Sequence, residues 1–179
     1  MISQEYREMN ATLHAQKPTY GASGHRWAKE VQTYGTTDVL DYGCGKGTLA
    51  AALPFKIREY DPAVPAKAEP PEPADLVVCT DVLEHIEPDH LDAVLDDLRR
   101  VTRKDALLVV ATRPAKKTLP DGRNAHLIIE DIAWWIHKIG SRWNINEAST
   151  DTSQAGEFLI RCCASSSDTI MSRRRHGTR

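Results

Sequence analysis

Two groups of residues in this sequence have the types and spacing to do chemistry. The first is the run Asp41-Tyr42-Gly43-Cys44-Gly45-Lys46-Gly47. Three alternate glycines remove three Cβ atoms, so the backbone can take positive φ and a flat ligand can come close to it. The spacing is G-x-G-x-G, not the G-x-G-x-x-G of dinucleotide sites. Asp41 stands two residues before the first glycine, where it can attract a cationic ligand. Cys44 reads as a small side chain filling a tight turn; a reactive thiol is the alternative. The second group is Asp81, Glu84 and His85, with His126 further along the chain. Carboxylates and imidazoles together can hold a divalent cation such as Mg²⁺ or Mn²⁺, which would lower the pKa of a bound hydroxyl. In a metal-free reading, His126 is a general base, because an imidazole near neutral pKa suits proton removal from a hydroxyl or amine. Glu84 and His85 then shape the pocket and the start of the next helix.

These residues need a scaffold that brings strand ends together, and the pattern supplies one. Val39, Leu40 and Tyr42 suit a buried strand ahead of the glycines. Thr48 to Leu53 read as a helix start, whose exposed N–H groups favour a polar or anionic group. Phe55 to Tyr60 form a second strand that ends at Asp61. Ala74 to Thr80 form another, with Asp81 at its carboxyl end. Residues 89–103 are an amphipathic helix with Leu91, Val94, Leu95, Leu98 and Val101 on one face. Ala106 to Ala111 is almost wholly apolar, as a central parallel strand should be. His126 lies in the loop that leaves its carboxyl end. Open α/β sheets bind ligands outside such ends, so Asp81, Glu84, His85 and His126 should face one crevice.

The remaining segments complete a single domain. Residues 3–16 predict a helix with Tyr6, Met9 and Leu13 inward, and Gly24 to Thr33 a second with Trp27 and Val31 inward. Together residues 1–35 read as a helical cap, with Tyr20, His25 and Trp27 as candidate pocket residues. Ile129 to Ile139 predicts a helix with an apolar stripe of Ile132, Trp135, Ile136 and Ile139. Arg142 to Ala148 and Glu157 to Cys163 read as two strands. Residues 165–179 form a Ser- and Arg-rich tail, expected to be disordered. Between Pro62 and Ala74 five prolines fall in thirteen residues. Proline cannot sit inside a helix or a central strand, so an extended loop is expected there.

The glycine run resembles motif I of the class I S-adenosylmethionine (SAM) dependent methyltransferases. The Asp61 position resembles their second marker, and Ala-Asp-Leu-Val-Val-Cys-Thr-Asp-Val-Leu-Glu-His-Ile (74–86) a third. The resemblance covers residues 36–164. It implies a Rossmann-like α/β fold with a mostly parallel sheet and an antiparallel C-terminal hairpin. The proline loop replaces a helix and strand usual in that family, so the third edge strand should be missing. With it goes the acid that often binds adenine; Glu69 or Glu72 is the substitute on offer. The implied donor site comprises Asp41, Gly43, Cys44, Gly45 and Gly47 for the methionine end, Asp61 for the ribose diol, and Thr80 and Asp81. Asp75 is read as structural. The Asp81-x-x-Glu84-His85 segment resembles acid-x-x-Glu-His segments of small-RNA 2′-O-methyltransferases and ubiquinone-pathway O-methyltransferases, some of which use a metal. Here Asp81 stands where glutamate is usual. The expected catalytic set is therefore His126, His85 and Asp81.

Composition bounds the partners. The chain has 179 residues and a formal charge of −2, so no global field draws it to nucleic acid or membrane. No apolar run approaches the roughly 18 residues of a membrane span. Cys44, Cys79, Cys162 and Cys163 form no C-x-x-C and suit a reducing, cytoplasmic setting. No amino-methylating Asp/Asn-Pro-Pro-Tyr segment, Pro-Cys pair, phosphate-binding loop or zinc spacing occurs. The expected activity is SAM-dependent methyl transfer to oxygen or nitrogen of a small-molecule or nucleotide-like acceptor. Arg113, Lys116, Lys117 and Arg123 around the His126 loop can greet a phosphate. RNA or DNA modification, or a non-catalytic SAM-binding partner subunit, are the alternatives, and the oligomeric state is left open.

Overall fold

The computed structural model describes residues 2–150 and 155–164, so the predicted basic tail at 165–179 lies outside the described residues. Six strands form one sheet: β1 (Val39–Tyr42), β2 (Arg58–Tyr60), β3 (Ala74–Thr80), β4 (Thr102–Ala111), β5 (Asn144–Thr150) and β6 (Glu157–Cys163). Their spatial order is β2-β1-β3-β4-β6-β5. The first four run parallel, and β6 is antiparallel to both β4 and β5. The predicted Rossmann-like α/β fold and C-terminal hairpin are both present. β2 is an edge, as the proline loop required.

Why the edge ends there is visible in that loop. A single 3₁₀ turn, Pro65–Lys67, occupies it. Arg58 reaches over it, donating to the carbonyls of Glu72 at 3.0 Å and Pro73 at 3.2 Å. Asp61 N–H donates to Lys67 O at 3.0 Å, so the loop folds back on the end of β2.

Helices cover both faces. α4 (Leu91–Val101) and α5 (Ile132–Gly140) bury Leu91, Leu95, Leu98, Trp135 and Ile139 against Leu108 and Ile160. Each such aliphatic side chain contributes about 1.5–3 kcal/mol of burial. The outward acids of α4 are tied to α5 and its turn: Asp92 to Lys138 at 2.9 Å and Asp96 to Arg142 at 2.6 Å. α2 (Ala28–Gln32), preceded by a 3₁₀ turn at Gly24–Trp27, and α3 (Thr48–Ala52) cover the other face through Trp27, Val31 and Leu49. Asp75 pairs with Arg103 at 2.9 Å and Lys104 at 2.6 Å, which extends β4 to Thr102 beside Ala74.

α1 (Gln4–Gln16) starts where Ser3 Oγ accepts the Tyr6 N–H at 3.1 Å. It buries Tyr6, Asn10 and Leu13, and packs with Tyr20, Leu119 and Ala125 as a third cluster. Two expectations are corrected. Ile136 is 37 % exposed and outside the α5 stripe, because the helix turns Ile132, Trp135 and Ile139 onto the sheet and no core residue lies opposite Ile136. Trp27 is sheet core and His25 is exposed, so of the three cap residues only Tyr20 lines the cavity. Among the described residues no helix is long and apolar enough to cross a membrane.

Candidate active site

The chain leaves β1 for β2 on one side and returns to β3 on the other. A crevice opens where the two directions diverge, at the carboxyl ends of β1 and β3. α1 and the segment Thr19–Ser23 roof it, leaving a cavity of about 350 Å³.

At one end lies the glycine turn. Gly43, Gly45 and Gly47 have φ of 81°, 49° and 72°, left-handed values that favour glycine. A Cβ on Gly43 would meet Val82 Cγ2 at 2.5 Å, and one on Gly45 would meet Gly21 O at 2.6 Å. The turn hangs from the end of β2: Gly43 and Cys44 N–H both donate to Tyr60 O, at 2.7 and 3.1 Å. Asp61 faces it, its Oδ2 accepting the Gly45 N–H at 3.0 Å and its Oδ1 the Ala63 N–H at 2.9 Å. Gly43, Gly45 and Asp61 line the cavity.

Asp41, Cys44, Gly47 and Thr80 stand behind that wall rather than in it. Asp41 is 4 % exposed; burial, then Glu59, pushes its carboxyl up to about 7 despite Lys67 nearby. Burial likewise raises the Cys44 thiol well above its ordinary value. Glu69 and Glu72 are exposed and do not reach the cavity.

At the other end sit Asp81, His85 and His126. Asp81 is the one non-glycine with positive φ, 60°, among the described residues. Its N–H donates to Val109 O at 3.1 Å, and its Oδ2 accepts from Ser23 Oγ at 3.1 Å. His85 Nε2 stands 3.9 Å from Asp81 Oδ1, an ion-pair distance rather than a hydrogen bond. Burial opposes ionisation of Asp81, but His85 and Ser23 outweigh it and hold the carboxyl well below its usual range. His85 Nδ1 lies 2.7 Å from Ala125 O, and His126 Nδ1 lies 2.6 Å from Arg113 O. A carbonyl only accepts, so each ring carries a proton on Nδ1, and the His126 Nε2 lone pair is free. At His85 burial opposes the charged ring, but Asp81 and Glu84 outweigh it and raise the pKa, which favours a second proton on the Nε2 that faces Asp81. The rings meet edge to face at 4.7 Å. Burial lowers the His126 pKa, which keeps it neutral.

Glu84 lies beneath them, fully buried. Its Oε1 accepts the Ala111 N–H at 2.9 Å, while Oε2 has no partner. Burial pushes this carboxyl up to about 8. One donor atom each from Asp81, Glu84, His85 and His126 fall within 4.8 Å of one another. The cationic loop is less free than its sequence implied. Arg113 pairs with Glu157 at 3.3 Å and Arg123 with Asp121 at 2.6 Å, while Lys117 Nζ reaches Thr19 O at 3.5 Å.

The sequence reading passed over His14, Ser23 and Lys46. Lys46 donates through Nζ to His14 O and through N–H to Gly21 O, clamping the roof to the glycine turn. The available signal was the polar series Tyr6, Asn10, His14, which repeats at four residues and so shares one face of α1.

Comparison with known proteins gives a consistent picture. The family described as "Methyltransferase domain" matches residues 7–144. None of the curated proteins matches the sequence. Among solved structures, magnesium protoporphyrin IX methyltransferase from Synechocystis PCC 6803, with bound S-adenosylhomocysteine, is 16 % identical with a TM-score of 0.59; the match covers 81 % of this chain and 83 % of that one. The 1,6-didemethyltoxoflavin-N1-methyltransferase of Burkholderia thailandensis is 13 % identical with a TM-score of 0.63, covering 84 % and 82 %. The DhpI complex with S-adenosylhomocysteine is 19 % identical with a TM-score of 0.59, covering 90 % and 94 %. Likenesses at this level of identity show the fold.

Proposed function

The chain belongs to the class I SAM-dependent methyltransferase family, whose domain it matches over residues 7–144, and from that membership we propose that it methylates an oxygen or nitrogen of a small-molecule acceptor held under α1. One observation carries the reading: a single cavity joins Gly43, Gly45 and Asp61 at one end to Asp81, His85 and His126 at the other. The first end suits a nucleoside-bearing donor and the second a proton-bearing acceptor. The Synechocystis and Burkholderia proteins are named for small molecules, magnesium protoporphyrin IX and 1,6-didemethyltoxoflavin, which supports an acceptor of that class.

SAM supplies a sulfonium-bound methyl that needs only an aligned nucleophile. The chain's residues do the rest. The glycine turn lets the donor approach the backbone, and Asp61 accepts from the ribose hydroxyls. α1 excludes water and fixes the acceptor, and such positioning supplies much of the acceleration. The His126 Nε2 lone pair takes the acceptor's proton, and the Nδ1–H···O bond to Arg113 fixes that tautomer.

A second reading of the acceptor end has its own support. Glu84 Oε2 is a buried carboxyl oxygen without a partner, and both histidines hold Nδ1 on a carbonyl and turn Nε2 to the same place, where a cation would displace the protons of Glu84 and of His85 Nε2. Metal-ligating histidines characteristically have their other nitrogen held in this way. The residues fit a divalent cation such as Mn²⁺, held by Asp81, Glu84, His85 and His126. It would acidify an acceptor hydroxyl, and the nucleophile would then be oxygen.

The test is calorimetry with S-adenosylhomocysteine, followed by transfer of labelled methyl from SAM to a panel of phenols, catechols and amines, with Mn²⁺ or with a chelator. Absence of S-adenosylhomocysteine binding would remove the donor site. Chelator-resistant transfer would remove the metal reading and leave His126 as base.

A further inference from the structure

The donor end of the cavity contains an imidazole whose ring nitrogens make no hydrogen bond within the fold. His14, near the end of α1, places Nε2 3.9 Å from Asp61 Oδ2, too far for a hydrogen bond. Its Nδ1 is buried and has no partner. The ring packs edge-on against Tyr20 at 4.9 Å. A Cβ on Gly21 would lie 2.5 Å from His14 Cε1, so the glycine there makes room for this ring. Burial holds the imidazole below its ordinary pKa, so it is neutral, with one donor and one acceptor. An orphaned N–H is rarer and costlier than an orphaned lone pair, which puts the proton on Nε2, facing Asp61.

Asp61 is equally under-used. Each of its oxygens accepts one backbone N–H, from Gly45 and from Ala63, which leaves acceptor capacity on both. An N–H and a carboxylate thus face each other across a gap too wide for a direct bond. Two neighbouring hydroxyls placed in the cavity beside that gap would bridge it, donating to Asp61 and accepting from His14. The proline loop meanwhile carries no acid into the cavity, so the nucleoside needs a polar contact from elsewhere. The roof can supply it because Lys46 fixes both the His14 carbonyl and the Gly21 carbonyl.

We infer that His14 is a donor-binding residue, and that α1 reads the nucleoside half of the methyl donor by completing, with Asp61, a site for a ribose diol. This rests on the donor reading above. It makes the roof helix part of the donor site rather than only a cover for the acceptor.

Calorimetry with two probes, S-adenosylhomocysteine and adenosine, tests it. Wild type binds both. In His14→Phe, which keeps the ring contact with Tyr20 and removes the nitrogens, both probes weaken about tenfold, as loss of one polar contact in a buried site predicts. In His14→Gln, which restores a donor and an acceptor, affinities return to within about threefold of wild type. The thermal midpoint of His14→Phe stays at the wild-type value, a result a merely structural residue would not give. Unchanged affinity of His14→Phe for both probes would overturn the inference while leaving the donor site in place. A wild type that binds neither probe would remove the donor reading and this inference with it. Loss of affinity in His14→Phe with no recovery in His14→Gln would also count against a hydrogen-bonding role.

Discussion

Glu84 Oε1 accepts the N–H of Ala111 at 2.9 Å, a bond that spans from the turn after β3 to the last residue of β4. It holds a fully buried carboxyl directly below His85 and His126 and leaves its second oxygen unpaired. The bond ties the end of β4, whose loop carries His126, to the segment that carries Asp81 and His85.

Glu84→Gln keeps an oxygen for Ala111 and removes the ligating carboxylate. Mn²⁺ affinity should fall by at least about tenfold while the protein stays folded. Calorimetric titration of both proteins with Mn²⁺ measures this; equal affinities would take Glu84 out of the proposed metal set. Glu84→Ala, by contrast, leaves a buried N–H unsatisfied at a cost of about 1–3 kcal/mol, and its thermal midpoint should drop by several degrees.

His126→Ala should lower methyl transfer by roughly a hundredfold, the scale of a lost general base. S-adenosylhomocysteine affinity should hardly change, because His126 is at the acceptor end of the cavity. Undiminished turnover in a single-turnover assay would reduce His126 to an anchor for its loop through Arg113 O.

Asp61→Ala should weaken S-adenosylhomocysteine about tenfold or more, since it removes the proposed ribose acceptor and also frees the N–H groups of Gly45 and Ala63. Asp61→Asn keeps one acceptor and should fall between the two. Wild-type affinity in the alanine variant would separate Asp61 from donor binding altogether.

Asp41 gives a pH prediction. Its folded pKa is raised from 3.8 to about 7, chiefly by burial. Its contribution to stability is therefore fully present below about pH 4 and lost as the pH rises through about 7. Asp41→Asn stays neutral throughout, so the margin by which its thermal midpoint exceeds that of wild type should grow by several degrees between about pH 4 and pH 8. A constant difference across that range would mean that Asp41 ionises at low pH with the help of its neighbours.

Much of this was legible in the chain. The alternation of apolar strands with amphipathic segments located every strand, because burial against a sheet leaves a local signature that neighbours cannot erase. β4 came out longer than its apolar run, since ion pairs of Asp75 with Arg103 and Lys104 carry the ladder past the last hydrophobic residue. The stripe of α5 was drawn one residue too wide, for periodicity alone does not tell Ile136 that no partner lies opposite it.

Local residue types were enough to set the alternate-glycine turn, the carboxylate at the end of β2 and the missing edge strand. Each depends on the steric limits of a few adjacent residues: no Cβ at three positions, and no N–H at five prolines. Which side chains share a cavity was fixed by the packing of distant elements. It put Asp41 behind the wall, brought His126 within ring contact of His85, and laid His14 against Asp61. Those meetings join residues 40 or more positions apart, and they are set by strand order and by how α1 docks across the crevice, quantities no local pattern encodes.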